Sequence, residues 1–247
     1  MRRALIRLTL LIALLGVRLG ATAIALIVTQ RFIAIAADSK VVDANLAFVR
    51  NTCKIRQAGG IYYISVNFVL SRSAGYDLDQ IVLGINAGSI EGTASKLMEA
   101  VPGPLRTALI DARNEDPVAF KKNFANGQAL GVALAGFEDR APAMVFVGFT
   151  MKDITKTNLR VDAGTYRCPG DCPDGHTGLF VPARLQTLFE QQHPRYWMGE
   201  ASDVAKNAEE FIKLAMAQRL PDVGPPISVL VLDSSGAQLL KPGACKP

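Results

Sequence analysis

Three residues of this chain, Thr22, Asp38 and Lys54, would make a self-contained nucleophile if they met in one cleft. A threonine hydroxyl is a weak nucleophile unless a base takes its proton. At a free chain terminus that base is the residue's own α-amine, whose unperturbed pKa is about 8. A lysine ammonium nearby lowers the amine's pKa by like-charge repulsion and helps to stabilise an oxyanion. An aspartate holds that lysine in place. The arrangement works only when Thr22 is a terminus, so proteolysis must come first.

Residues 1–21 have the composition of a removable export leader. MRRALIR is a positive segment, LTLLIALLGV an apolar run of ten residues, and RLGA a short end of small residues. The apolar run is short for a membrane span, and Arg18 closes it. Signal peptidase is the processing partner this implies. It prefers small residues one and three positions before the cut. Cleavage after Ala21 leaves Thr22 as the terminus, with Leu19 at the third position. Cleavage after Ala23 has Ala21 at the third position and discards Thr22. The expected address is the periplasm or the outside of the cell.

Four cysteines accompany this leader: Cys53, Cys168, Cys172 and Cys245. An even number in an exported chain favours disulfides. Cys168 and Cys172 flank Pro-Gly-Asp, a turn sequence, and could close a small loop. Cys53 and Cys245 would then pair by elimination. Zinc is the rival reading, but CxxxC with two distant cysteines lacks the usual ligand spacing. No metal and no cofactor is expected.

The remaining 226 residues, 22–247, are enough for one large domain with an ordinary core. At 49% hydrophobic and 20% charged, the chain is not disordered. Its net charge of +5 owes much to Arg2, Arg3, Arg7 and Arg18; without them 23 basic residues face 22 acidic ones. No basic patch carries interleaved aromatics, so a nucleic-acid partner is not expected. His176 and His193 read as surface loop residues, and Tyr196-Trp197-Met198 as a packing cluster. Ser39 and Ser73 lack an elbow motif, and Gly59-Gly60 does not resemble a phosphate loop.

The elements that must position these residues follow from the apolar pattern. IALIV and FIAIAAD read as a strand pair around TQR. Short strands are expected at 46–50 and 53–57, and a strong one at IYYISVNFVL. Helices follow at YDLDQIVLGI, at SKLMEAV and PLRTALIDARNE on either side of PGP, and through VAFKKNF. QALGVALAGFE and APAMVFVGFT form a hairpin around Asp139-Arg140. TNLRVDAG reads as a strand and TYRCPGDCPDGHTGL as loop. VPARLQTLFEQQ is helical, Ser202 caps DVAKNAEEFIKLAMAQRL, and ISVLVLD with AQLL closes the chain. Strands, helices, strands, helices and strands in that order predict an α+β fold, a four-layer αββα sandwich of mainly antiparallel sheets.

TAIALIV-TQR-FIAIAADSK resembles the opening of proteasome-type β subunits, members of the N-terminal nucleophile hydrolase superfamily. Asp38 and Lys54 lie sixteen and thirty-two residues after Thr22, matching that family's catalytic Asp and Lys without a gap. Lys40 stands where the family usually has Arg. Asp222 matches an Asp near the base of the site, but Gly224-Pro225-Pro226 stands where the family has Ser-Gly-Gly. Counting without gaps reaches Phe68 where the family has a glycine that serves the oxyanion. The resemblance implies hydrolysis of a peptide or small amide by Thr22, with Lys54 tuning the amine and Asp38 orienting Lys54. It also implies a homo-oligomer, by resemblance a ring. The alternative is the same fold kept as an inactive secreted binding or structural subunit. A third reading, an unrelated exported α+β protein, would be favoured by a structure in which Asp38 and Lys54 lie far apart.

Overall fold

The computed structural model describes residues 23–42, 47–66, 72–73, 76–85, 87–152, 158–172 and 175–245. The leader, Thr22 and Phe68 lie outside the described residues. Strands β1 (Ile24–Val28) and β2 (Ile33–Asp38) form the expected hairpin, with Ile24 opposite Ala37 and Val28 opposite Ile33. Both are buried along their whole length. Their alternation sorts residues by size. Ala23, Ala25, Ile27, Ala34 and Ala36 share a cluster with helix α6 (Ala201–Ala217). Ile24, Leu26, Ile33 and Ile35 belong to a second cluster that includes Ile64 and Ala133 of the other sheet. The alanine face lets the helix approach closely, while the branched residues fill the space between sheets.

The first sheet runs β12-β1-β2-β13-β14, with β12 spanning Thr177–Val181, β13 Ile227–Asp233 and β14 Gly236–Lys241. The second runs β11-β10-β9-β6-β5. Its strands are β5 (Arg56–Ala58), β6 (Ile61–Val66), β9 (Gln128–Glu138), β10 (Ala141–Lys152) and β11 (Arg160–Cys168). All pairings in both sheets are antiparallel. Helices α1 (Leu78–Ile85), α2 (Ile90–Ala100), α3 (Pro102–Glu115) and α4 (Pro117–Asn123) pack with the outer face of the second sheet. On the first sheet, α5 (Gln186–Gln192) joins α6. The fold is the expected αββα sandwich. Two small ribbons complete it: β3 (Lys40–Val42) with β4 (Phe48–Asn51), and β7 (Arg72–Ser73) with β8 (Tyr76–Asp77).

Local chemistry accounts for several boundaries. Asp139 and Arg140 both take positive φ, 49° and 65°, as the tight turn between β9 and β10 requires. Pro102 to Pro104 do not separate two helices but form the first turn of α3, where proline's missing N–H costs nothing. Ser202 is not the cap of α6. Glu200 is, because its side chain accepts from the Asp203 amide while Asp203 Oδ2 accepts from the Glu200 amide at 3.1 Å. The stretch expected as loop after Gly164 is partly sheet: β11 continues to Cys168, and Thr177–Val181 pairs with β1.

Candidate active site

Asp38 ends β2, and its carboxylate is wholly buried. A charge there survives only if paired and hydrogen-bonded, and four donors do this. The Ala23 amide and the Lys54 ammonium both reach Oδ1, at 2.8 and 2.7 Å. The Lys40 and Gly224 amides reach Oδ2, at 3.1 and 3.2 Å. The carboxylate therefore ties together the start of β1, the start of β3, the approach to β13 and the segment that carries Lys54.

That segment, residues 52–55, lies between β4 and β5 and is not part of either ladder. It is held by the Thr52 amide donating to the Ser39 carbonyl at 2.8 Å and by Ile55, buried among inter-sheet residues. The Lys54 side chain is 11% exposed. Burial pushes its pKa below 10.5, against the opposing charge and hydrogen bond of Asp38. Burial likewise pushes Asp38 above 3.8, against Lys54 and the amides. A lysine so placed gives up its proton more readily than one in water.

Asp222 is also buried beside this pair. Burial pushes it up to about 6, aided by the Asp38 charge and opposed by Lys54 and Lys40. Lys40 donates through Nζ to the Pro221 carbonyl, and its stem lies over Gly224, where an added Cβ would meet Lys40 Cδ at 2.9 Å. Ser39 is fully buried, with no partner for its hydroxyl among the described residues.

The structure thus brings Asp38, Lys54, Lys40 and Asp222 together, so the separation of Asp38 and Lys54 that would favour an unrelated protein is not found. Sequence reasoning missed the Ala23 and Gly224 amides. They act through backbone, so residue type carries no signal for them. The cysteines pair as Cys53–Cys245 and Cys168–Cys172, which leaves no free thiolate among them for zinc.

The histidines are not simple surface residues: both are half-buried, His176 stacking on Trp197 at 4.2 Å and His193 on Phe189 at 4.6 Å. Tyr196 does pack in the core, against Phe180 and Phe189. Trp197 and Met198 instead line an open cavity of about 360 Å³ with Thr29, Arg31, Phe32 and His176. That cavity sits at the β1–β2 turn, whereas Asp38 closes the far end of β2.

No protein-family model and no curated protein matches the chain. Among solved structures it is similar to Anbu (ancestral beta-subunit) from Yersinia bercovieri, at 12% identity and a TM-score of 0.54, covering 89% of this chain and 87% of that one. An Anbu (Gly-1) mutant from Hyphomicrobium sp. strain MC1 is similar at 14% identity and a TM-score of 0.49, over 89% and 85% of the two chains. The first likeness shows that the chain shares the fold of that ancestral beta-subunit. It also corrects the placement read from Thr22 to Lys54: that structural neighbour is an Anbu protein, not one of the proteasome-type β subunits that the opening resembles. The physical reason is that AADSK and the lysine after Cys53 mark strand ends and a buried pair within one fold. So few residues do not separate its branches.

Proposed function

We propose that the chain is an exported hydrolase that cleaves an amide, in a peptide or small molecule, with a processed amino-terminal Thr22 as nucleophile. One observation carries this reading. Asp38 Oδ1 accepts from both the Ala23 amide and the Lys54 ammonium, and Thr22 is one peptide bond from Ala23. In the reaction, the Thr22 hydroxyl proton passes to its α-amine as Oγ attacks the carbonyl carbon. That proton leaves with the departing amine, and water then hydrolyses the ester. Lys54 favours the neutral α-amine, and Asp38 keeps Lys54 in place. Residues 22–247 act as one domain after removal of the leader. Two disulfides support an oxidising compartment, and a proteasome-like fold supports a homo-oligomer.

The test is the mature terminus, followed by a threonine-reactive electrophile. The expected protein begins at Thr22 and is labelled there, and Thr22→Ala abolishes the label. A mature protein beginning at Ile24 sinks the mechanism and leaves the fold intact.

Gly224-Pro225-Pro226 favours a second reading, because no hydroxyl residue stands in that run. Here the fold serves as an inactive secreted binding or structural subunit. A protein that begins at Thr22 yet takes no label supports it.

A further inference from the structure

We propose that the Cys53–Cys245 disulfide is a positioning element for Lys54, so that the Lys54–Asp38 pair is held only in the oxidised protein. This rests on the hydrolase reading for its catalytic consequence, but not for its geometry. Cys53 immediately precedes Lys54 in the segment that neither β4 nor β5 supports by a ladder. Its partner Cys245 lies 192 residues away, just beyond β14. The bond crosses from the lysine's segment to the part of the chain that adjoins the aspartate.

The Cys245 end is itself well seated. Its amide donates to the Pro242 carbonyl at 2.7 Å, and its sulfur lies 3.3 Å from Ser228 Oγ. The Ser228 hydroxyl donates to the same Pro242 carbonyl at 2.9 Å. Ser228 is on β13 opposite Ala37, and the next pair along is Ile227 with Asp38. Gly243 presses the tail onto this strand. It takes a φ of +54°, and an added Cβ would fall 2.4 Å from Ser228 Oγ and 2.7 Å from the Ile227 backbone. One disulfide therefore joins the lysine's segment to the strand that flanks the carboxylate. Apart from the peptide chain, it is the sole covalent tie on residues 52–55.

Reduction removes that tie. A dithiol attacks one sulfur and passes through a mixed disulfide. Two electrons and two protons go to the protein as two thiols, and the reductant closes to its own cyclic disulfide. The segment is then left with the Thr52 amide, the Ile55 side chain and the Lys54–Asp38 contact itself as anchors. Lys54 gains access to water, and its distance from Asp38 is no longer set.

Acetylation of lysines by acetic anhydride, read by mass spectrometry, tests this without requiring activity. Lys213, with a side chain 48% exposed, is the internal reference. The expected Lys54/Lys213 labelling ratio is low in oxidised protein. It rises about tenfold or more in Cys53→Ser/Cys245→Ser and after dithiothreitol reduction, through local opening of the segment. Cys168→Ser/Cys172→Ser leaves it unchanged. An unchanged ratio in folded protein whose Cys53 and Cys245 have been alkylated overturns the proposal. Should the double variant not fold, the ratio is read on stepwise-reduced wild-type protein and on Gly243→Ala, which keeps both sulfurs and is expected to raise it. If a fluorogenic peptide amide is turned over, reduction lowers kcat and shifts the pH profile. A chain that hydrolyses nothing defeats the hydrolase reading and leaves the labelling result to decide this one.

Discussion

Lys54 meets Asp38 at 2.7 Å with the carboxylate wholly out of water. Removing either partner strands a buried charge, which costs about 3–5 kcal/mol, whereas removing both costs less than the sum. Lys54→Met and Asp38→Asn are therefore each expected to lower stability at pH 7 by an amount in that range. The double variant should recover at least about 1 kcal/mol over additivity. Urea denaturation of the four proteins measures the coupling; strict additivity would mean that the pair does not interact in solution.

Asp222 gives a signed pH dependence. Its pKa is raised from 3.8 to about 6 in the folded chain, chiefly by burial. Between these values the folded state binds more protons than the unfolded one. The group's contribution is complete below 3.8 and is lost as pH rises through 6. At 1.36 kcal/mol per unit the loss is about 3 kcal/mol. Relative to Asp222→Asn, wild-type protein should lose about that much stability between pH 3.5 and pH 7. Parallel stability curves for the two proteins would refute it.

The two disulfides should differ in worth. Chain-entropy arguments assign about 5 kcal/mol to a closure spanning 192 residues and about 2 kcal/mol to one spanning four. Cys53→Ala/Cys245→Ala should accordingly lower the melting temperature more than Cys168→Ala/Cys172→Ala. Scanning calorimetry under non-reducing conditions decides the order.

Phe211 of α6 is fully buried against Phe180 and Phe189. Phe211→Ala removes a ring from a close-packed aromatic group and should cost about 3–5 kcal/mol. Val118→Ala, at a residue 79% exposed, should change stability by under about 0.5 kcal/mol. Equal effects in denaturation would contradict the assigned α6 packing.

Much of the fold is legible in the residues because it depends on local pattern. The apolar runs of β1, β2, β9, β10 and β13 announce largely buried strands, and the order of the helices among the described residues follows from spacing and breakers. The nearness of Asp38 and Lys54 was expected for a different reason: their spacings after Thr22 match those of the family that the opening resembles. Boundaries were less legible. Ser202 is a good cap by type, but Glu200 and Asp203 satisfy each other and move the helix start two residues earlier.

What residue order could not supply are contacts between distant stretches of chain. The Gly224 amide reaches Asp38 across 186 positions, and it does so by backbone, which every residue but proline possesses. The burial that raises Asp222, aided by the Asp38 charge and opposed by Lys54 and Lys40, exists only in the folded chain. The seat of Lys54 is likewise a long-range matter. Elimination after Cys168 and Cys172 named the partners Cys53 and Cys245, but folding alone brings the tail after β14 beside Ser228 of β13, the strand that pairs with Asp38.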